Sequence, residues 1–196
     1  MGRELSRTFA LIVLSVLVVA RPTAADLSQG HDWDATPPAA GDAAEALTAA
    51  REAMHAAWLG TPLRVAKAVL VATSDNKYGI YEPRGSHRYA PGEPIMIYVE
   101  PVGYGYRQEG ELWHFGLAAD LFVLDKAGNI LAGKEGALRT ELASHNPVKE
   151  LVLDVTYTLN NAPSGVYVLR TILRDLYSDE QVRFENVVEI APGSAS

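Results

Sequence analysis

The stretch YAPGEPIMIYVEPVGYGYRQEGELWHFGLAADLFVLD, Tyr89 to Asp125, predicts two or three consecutive strands with their turns. Pro91-Gly92 suits the two middle positions of a type II turn, because proline fixes φ and glycine accepts a positive φ. Beyond this turn, every second residue from Ile95 to Val99 is aliphatic, which is the period of a strand with one face on a core. Antiparallel β-structure is therefore expected around this stretch.

Strand-breaking and turn-forming residues inside the stretch predict a hairpin. Pro101 is expected to stop the first strand or to place it at a sheet edge, because proline cannot donate to a ladder. Gly103–Tyr106 and the polar turn at Gln108–Glu111 would then reverse the chain. The return strand starts at Leu112, and Asp125–Asn129 has the composition of another tight turn.

The rest of the chain continues the pattern of short strands between turns. Strands are predicted over 63–73, 151–159, 166–174 and 182–190, the last with an irregularity near Asn186, while 134–141 stays ambiguous. Turns every eight to twelve residues favour a sandwich. The predicted fold is an immunoglobulin-like antiparallel β-sandwich of seven to nine strands with one N-terminal α-helix.

Three motifs carry a resemblance to known domains: YAPGEPIMIYVE, then LFVLDKAGNIL, then APSGVYVLRTIL. Their order resembles that in macroglobulin-type and other immunoglobulin-like domains of bacterial exported proteins, over roughly Lys77 to Ile190. The resemblance implies that the first motif opens a strand, that D-x-x-G-N closes a hairpin, and that P-x-G-x-Y begins a late strand. The chain is also similar to small exported proteins of proteobacteria that carry a PGEP…YVEPVGYGY motif, a likeness that implies no activity.

The N-terminus has the features of a secretory signal over residues 1–25. Arg3 and Arg7 form a basic start, Phe9–Ala20 is an apolar run, and Thr23-Ala24-Ala25 resembles a cleavage site. The run is shorter than the roughly 20 residues that span a bilayer, so a retained membrane anchor is the less favoured alternative. The expected location is the periplasm or the exterior, with no stable membrane span after signal cleavage.

The predicted organisation after the signal is a flexible linker over 26–41, a helix over 42–60, the sandwich over 63–191 and a disordered tail over 192–196. Asp42 is a good N-cap residue, and Gly60 with Pro62 ends the helix. Met54 and Trp58 are expected to pack against the sandwich or cover an edge strand. A free helix offered to a partner is the alternative.

Composition limits the partners of the chain. The sequence has no cysteine and a net charge of −7. Loss of residues 1–25 removes three arginines and one glutamate, which leaves a net charge of about −9. Nucleic acid is therefore not expected as a partner. The expected partner is an unknown small ligand or an envelope protein.

Motifs for catalysis or metal binding are weak. None of the five histidines lies at H-x-H, H-x-x-x-H or H-E-x-x-H spacing, and a G-x-S-x-G elbow is missing. We expect neither catalysis, nor a resident metal, nor a cofactor. The alternative is a hydrolase or metal-handling protein whose site would combine four residues of the hairpin and its neighbours: Glu100, Asp120, His114 and His145. In this alternative Glu100 and Asp120 are expected on neighbouring strands.

An aromatic-rich stretch between Tyr81 and Trp113 is the best candidate for a binding surface, since flat rings beside polar groups suit sugars, peptides or cations. Tyr104 and Tyr106 lie next to glycines and are expected to be exposed. The predicted ligand-binding set is Tyr104, Tyr106, Trp113 and His114, with Arg107 and Glu100 fixing orientation. The predicted function is a binding or interaction module. A structural envelope component is a further alternative, which a long unprotected edge strand would support.

Overall fold

The computed structural model describes residues 40–193, which form a mainly β chain with one helix. The predicted signal segment, nearly all of the predicted linker and most of the predicted tail lie outside the described residues. In chain order the elements are α1 (Ala40–Leu59), β1 (Arg64–Val71), β2 (Arg88–Tyr89), β3 (Pro94–Val102), β4 (Arg107–Glu109), β5 (Leu112–Leu124), β6 (Ile130–Ser144), β7 (Leu153–Thr158), β8 (Gly165–Asp175) and β9 (Gln181–Ile190).

The strands divide between two sheets, as a β-sandwich requires. The smaller sheet has the order β1-β3-β7, and the larger one has the order β2-β9-β8-β5-β4. The strand β6 runs along the edge of β5 opposite to β8. Every pairing is antiparallel except the two-residue contact of β2 with β9.

One hydrophobic core joins the inner faces of both sheets. The predicted alternation in β3 is confirmed, since Ile95, Ile97 and Val99 are fully buried. The facing row of the larger sheet consists of buried side chains from β5 and β8, which are Phe115, Leu117, Ala119, Leu121, Leu169 and Leu173. The period-two rows of the sequence therefore meet between the sheets.

The two turns that frame the central stretch form as predicted. Glu93 N donates to Ala90 O at 3.1 Å, and Gly92 has a φ of +76°. The carboxylate of Asp125 accepts hydrogen bonds from the backbone amides of Ala127 and Asn129 at 2.8 and 2.9 Å. Both turns rest on local chemistry, which explains why the sequence alone could predict them.

Of the two outcomes expected for Pro101, the first is wrong, because β3 continues to Val102. The second, an edge position, holds locally. The strand β7 pairs only with residues 94–99, so Pro101 has a ladder partner only in β1. The expected irregularity near Asn186 is absent, because β8 and β9 pair in continuous register from 165 to 174. Asn186 instead extends its amide toward Ala68 O at 3.4 Å, linking the two sheets.

Helix α1 begins two residues before its predicted start, so Asp42 lies in the first turn instead of capping it. At the other end, Gly60 N donates to Ala56 O at 3.2 Å and Thr61 Oγ1 donates to Ala57 O at 2.7 Å. Within residues 40–193 no helix combines the length and the apolar character needed to cross a membrane.

Candidate functional site

Helix α1 is attached to the sandwich by its last turns. Of its side chains from Gly41 to Leu59, only His55 and Trp58 are partly buried. The Trp58 indole donates a hydrogen bond from Nε1 to Tyr104 O at 2.9 Å, and its ring lies edge-on to the Tyr104 ring at 5.0 Å. The His55 ring lies edge-on to Trp113 at 5.4 Å. Both rings also lie near Tyr106, at 6.1 Å for His55 and 6.5 Å for Trp58. Four ring contacts and one hydrogen bond therefore anchor the helix.

The two partly buried rings of α1 and the rings beneath them form one group, which we call the end cluster: His55, Trp58, Tyr104, Tyr106, Trp113 and Phe115. Tyr106 lies 5.5 Å from Tyr104, 6.0 Å from Trp113 and 5.8 Å from Phe115, measured between ring centroids. The pairs are mostly tilted or edge-on, the arrangements that aromatic rings prefer. The end cluster thus closes one end of the sandwich.

The tyrosine hydroxyls of the end cluster converge on a single backbone carbonyl. Tyr104 donates to Val148 O at 2.8 Å, and Tyr106 donates to the same oxygen. Burial raises the pKa of both hydroxyls. These phenols therefore stay protonated, and their hydrogen bonds hold the segment before β7 against the connection between β3 and β4.

The expectation that Tyr104 is exposed is wrong, since its side chain is fully buried. The neighbouring glycines serve close packing. A Cβ on Gly103, whose φ is +81°, would lie 2.5 Å from Pro62 O, and Gly105 N donates to Asp175 Oδ2 at 2.6 Å. Tyr106 and Trp113 are half-buried, so they retain some accessible ring surface.

Arg107 and His114 lie on the opposite face of the hairpin from Trp113. They pair across β4 and β5, and each approaches Glu109, at 2.7 Å and 3.7 Å respectively. The Arg107 guanidinium also stacks over the ring of Tyr177 at 5.0 Å. Because neighbouring residues of a strand point to opposite faces, these two residues could not join the end cluster.

Glu100 lies in a third place, on the outer face of the smaller sheet. It accepts a hydrogen bond from the Tyr98 hydroxyl at 2.6 Å and forms an ion pair with Lys67 at 3.3 Å. The structure therefore brings together three of the six predicted ligand-binding residues and separates the other three. A ligand-binding role for any of them stays a prediction.

The four residues of the metal or hydrolase alternative are dispersed. Asp120 pairs with Arg174 and accepts a hydrogen bond from Gly136 N at 2.6 Å. Glu100 lies on the other sheet, so the two carboxylates are not on neighbouring strands. His145 is exposed in the segment after β6. Among residues 40–193, no three histidine, aspartate or glutamate side chains form a metal-binding group.

Lys149 is a charged neighbour of the end cluster that no sequence motif indicated. Its Nζ lies 6.0 Å from the Trp58 ring, and burial lowers its pKa. Burial also lowers the pKa of His55, and the charge of Lys149 adds to this effect. Nδ1 of His55 is buried without a hydrogen-bond partner in the described part of the chain. Both effects favour the neutral form of His55.

The rest of α1 presents an apolar row to solvent. Leu47 is 53% exposed and Met54 is 54% exposed, so the expected packing of Met54 against the sandwich is wrong. With Ala50 they stand at i, i+3 and i+7 along one face. This row points in nearly the same direction as Trp58 but finds no partner among residues 40–193.

Comparison with known proteins assigns no family. No protein-family model matches the chain, and no curated protein does. Among solved structures, the chain is similar to a family 123 glycoside hydrolase from Clostridium perfringens, with 8% identity and a TM-score of 0.36. The match covers 67% of this chain and 28% of that one. A likeness at this level carries no argument about the activity of the chain.

Proposed function

We propose that this chain is an exported interaction module of the bacterial envelope, which presents helix α1 to a protein partner and carries out no catalysis. Export is supported by the signal features of residues 1–25. We also propose that the sandwich is of the immunoglobulin-like type with seven to nine strands, which is supported by two mainly antiparallel sheets around one core.

The observation that carries the proposal is the exposed row of α1. Leu47, Ala50 and Met54 follow the i, i+3, i+7 spacing by which amphipathic helices fill apolar grooves of their partners. Burial of two large side chains that are now about half exposed would contribute about 2–3 kcal/mol to binding. The partner we propose is therefore a protein with an apolar groove.

The composition of α1 allows it to remain helical before a partner binds. Nine of its 20 residues are alanine, the strongest helix former. The contacts of His55 and Trp58 fix its C-terminal end, so fewer residues need to be ordered on binding. A helix of this kind can be offered in its bound conformation.

The features of β6 argue against the alternative of a structural envelope component. This strand is 15 residues long and pairs with β5 among the described residues, so it forms an edge. Its register is interrupted opposite Asp120, and Lys134 and Glu135 are exposed at the interruption. Bulges and charges at an edge oppose the addition of further strands.

A pull-down with paired variants tests the proposal. Immobilised protein over 26–196 is incubated with envelope extract, and the retained proteins are quantified by mass spectrometry. Leu47→Asp with Met54→Asp places two charges in the exposed row. Ala49→Asp with Ala56→Asp places the same charges on the opposite face as the control. A partner should be retained by the wild type and the control and lost with the first variant.

Circular dichroism first verifies that both variants keep the fold and the helix. The proposal would be contradicted if both variants retained the same envelope proteins in the same amounts. Analytical ultracentrifugation of the wild type alone shows whether the protein self-associates. If the protein self-associates and Leu47→Asp with Met54→Asp abolishes this, the partner is a second copy of the chain.

A further inference from the structure

The interface between helix α1 and the sandwich contains a titratable ring that cannot be charged without cost. Nδ1 of His55 is buried and has no hydrogen-bond partner within residues 40–193. The His55 ring lies 5.4 Å from the Trp113 ring and 6.1 Å from the Tyr106 ring, measured between centroids. Neutral imidazole can carry its proton on Nε2, whereas imidazolium must place a second N–H at Nδ1. Protonation in the docked helix would therefore bury a donor that has no acceptor.

The side chains that face His55 from the sandwich supply no negative charge. Trp113 on β5 has no ionisable group, and burial raises the pKa of the Tyr106 hydroxyl, which stays neutral. Lys149, in the segment before β7, brings a positive charge, and its Nζ lies 6.0 Å from the ring of Trp58. Trp58 follows His55 by about one helical turn on the same face of α1. A protonated His55 would thus meet a like charge where it needs a counter-ion.

The charged neighbours of His55 on α1 itself are Arg51 and Glu52, which lie in the preceding turn. Both are exposed, and their opposite charges are screened by water and salt. Within residues 40–193, Lys149 is the one charge that shifts the pKa of His55, and it adds to the lowering that burial causes. Burial also lowers the pKa of Lys149. The docked interface as a whole therefore disfavours positive charge.

A released helix would leave His55 in water, where its ordinary pKa is 6.5. The docked helix holds the same ring with a lowered pKa, so the docked state takes up the proton less readily than the released state. The docked state is therefore favoured fully above pH 6.5 and loses favour as the pH falls below this value. Below it, the equilibrium shifts toward release by up to about tenfold per pH unit, until the pH reaches the pKa of the docked ring.

We propose that His55 makes the docking of α1 a pH-sensitive switch. At neutral pH the uncharged ring packs against Trp113 and Tyr106, and α1 stays on the sandwich. In mild acid the protonated ring leaves the interface, the helix is released, and these two half-buried rings become accessible. The core between the two sheets contains no residue of α1, so the sandwich stays folded. The switch acts on docking alone and does not depend on the proposed function.

Amide hydrogen exchange of the protein over 26–196 tests the switch at about pH 7.5 and about pH 5, the range in which histidine titrates. Rates are corrected for the intrinsic pH dependence of exchange. In the wild type the corrected exchange of α1 should accelerate several-fold in acid, while β5 and β8 stay protected. His55→Phe keeps an aromatic ring that cannot titrate, so its α1 should exchange equally at both pH values. His145→Gln, an exposed control, should respond like the wild type.

Lys149→Met gives a second test that retains His55. Removal of the nearby positive charge brings the pKa of the docked His55 closer to its ordinary value, so the acceleration in acid should become smaller. This variant decides the matter if His55→Phe fails to dock at neutral pH, and an unchanged acceleration would then contradict the switch.

Tryptophan fluorescence in a Trp33→Phe background follows the release directly, because Trp58 and Trp113 are then the remaining tryptophans. Their emission should shift to longer wavelength in acid and return at neutral pH. Equal corrected exchange of α1 at both pH values in the wild type would overturn the proposal. An equal acceleration in His55→Phe would also overturn it, as would an acceleration of all strands together with α1, which would mean global unfolding.

Discussion

Replacement of Trp58 by alanine should detach helix α1 from the sandwich. Trp58 contributes the anchoring hydrogen bond to Tyr104 O at 2.9 Å and the edge-on ring contact at 5.0 Å. The only other partly buried side chain of α1 between Gly41 and Leu59 is His55. Loss of Trp58 therefore removes most of what holds the helix in place.

The expected cost follows from three contributions. The hydrogen bond is worth about 1 kcal/mol, and the ring pair is worth about another 1 kcal/mol. The apolar surface of a half-buried indole adds about 1 kcal/mol. Trp58→Ala should therefore lower the free energy of unfolding by roughly 3 kcal/mol, or the Tm by about 6–12 °C for a domain of this size. Trp58→Phe keeps a ring and loses the N–H, so it should cost about 1 kcal/mol.

Urea denaturation followed by far-UV circular dichroism measures these values, and amide hydrogen exchange localises them. Exchange in α1 should accelerate in Trp58→Ala, whereas exchange in the core strands β5 and β8 should stay slowest. Leu47→Ala is the control on the exposed part of the same helix, with an effect within about 0.5 kcal/mol. A loss below about 1 kcal/mol for Trp58→Ala, with unchanged exchange in α1, would refute the anchoring role.

Three further predictions concern pH and close packing. Burial lowers the pKa of His55 in the folded state below its ordinary value of 6.5. The contribution of the neutral imidazole to stability is therefore complete above pH 6.5 and is lost as the pH falls below 6.5. His55→Gln should flatten this part of a Tm–pH profile. Gly103→Ala should lower the urea midpoint far more than Gly136→Ala, because both glycines have positive φ but only Gly103 packs against backbone. Gly133→Ala should cost about 1–3 kcal/mol in urea denaturation, because its Cβ would collide with the Phe122 ring. Phe122→Leu in the same chain should recover part of this loss, and equal Tm values with and without Phe122→Leu would contradict the explanation.

The strands and turns could be predicted because their causes are local. Alternation from Ile95 to Val99 requires only the pleat of a strand, and Pro91-Gly92 and Asp125 form turns from their own side chains and backbone. The same local view failed for Gly103 and Tyr104. Their surroundings come from Pro62 and Val148, which are distant in sequence. Glycines that flank an aromatic residue indicate close backbone approach as well as exposure.

The site residues show the same limit. Trp113 and His114 are neighbours in sequence, yet the strand sends them to opposite faces of the hairpin. Tyr177 and Lys149, which contact Arg107 and Trp58, lie between strands, where no local pattern singles them out. Only the pairing of β4 with β5 and the docking of α1 decide which of these groups meet.

The apolar row of α1 has no use in the packing of the core formed by residues 40–193, and it reduces stability. Leu47 and Met54 are each about half exposed to water. Leu47→Asp should therefore leave the fold intact, which urea denaturation would show. Residues that cost stability without a structural return are the expected places of function.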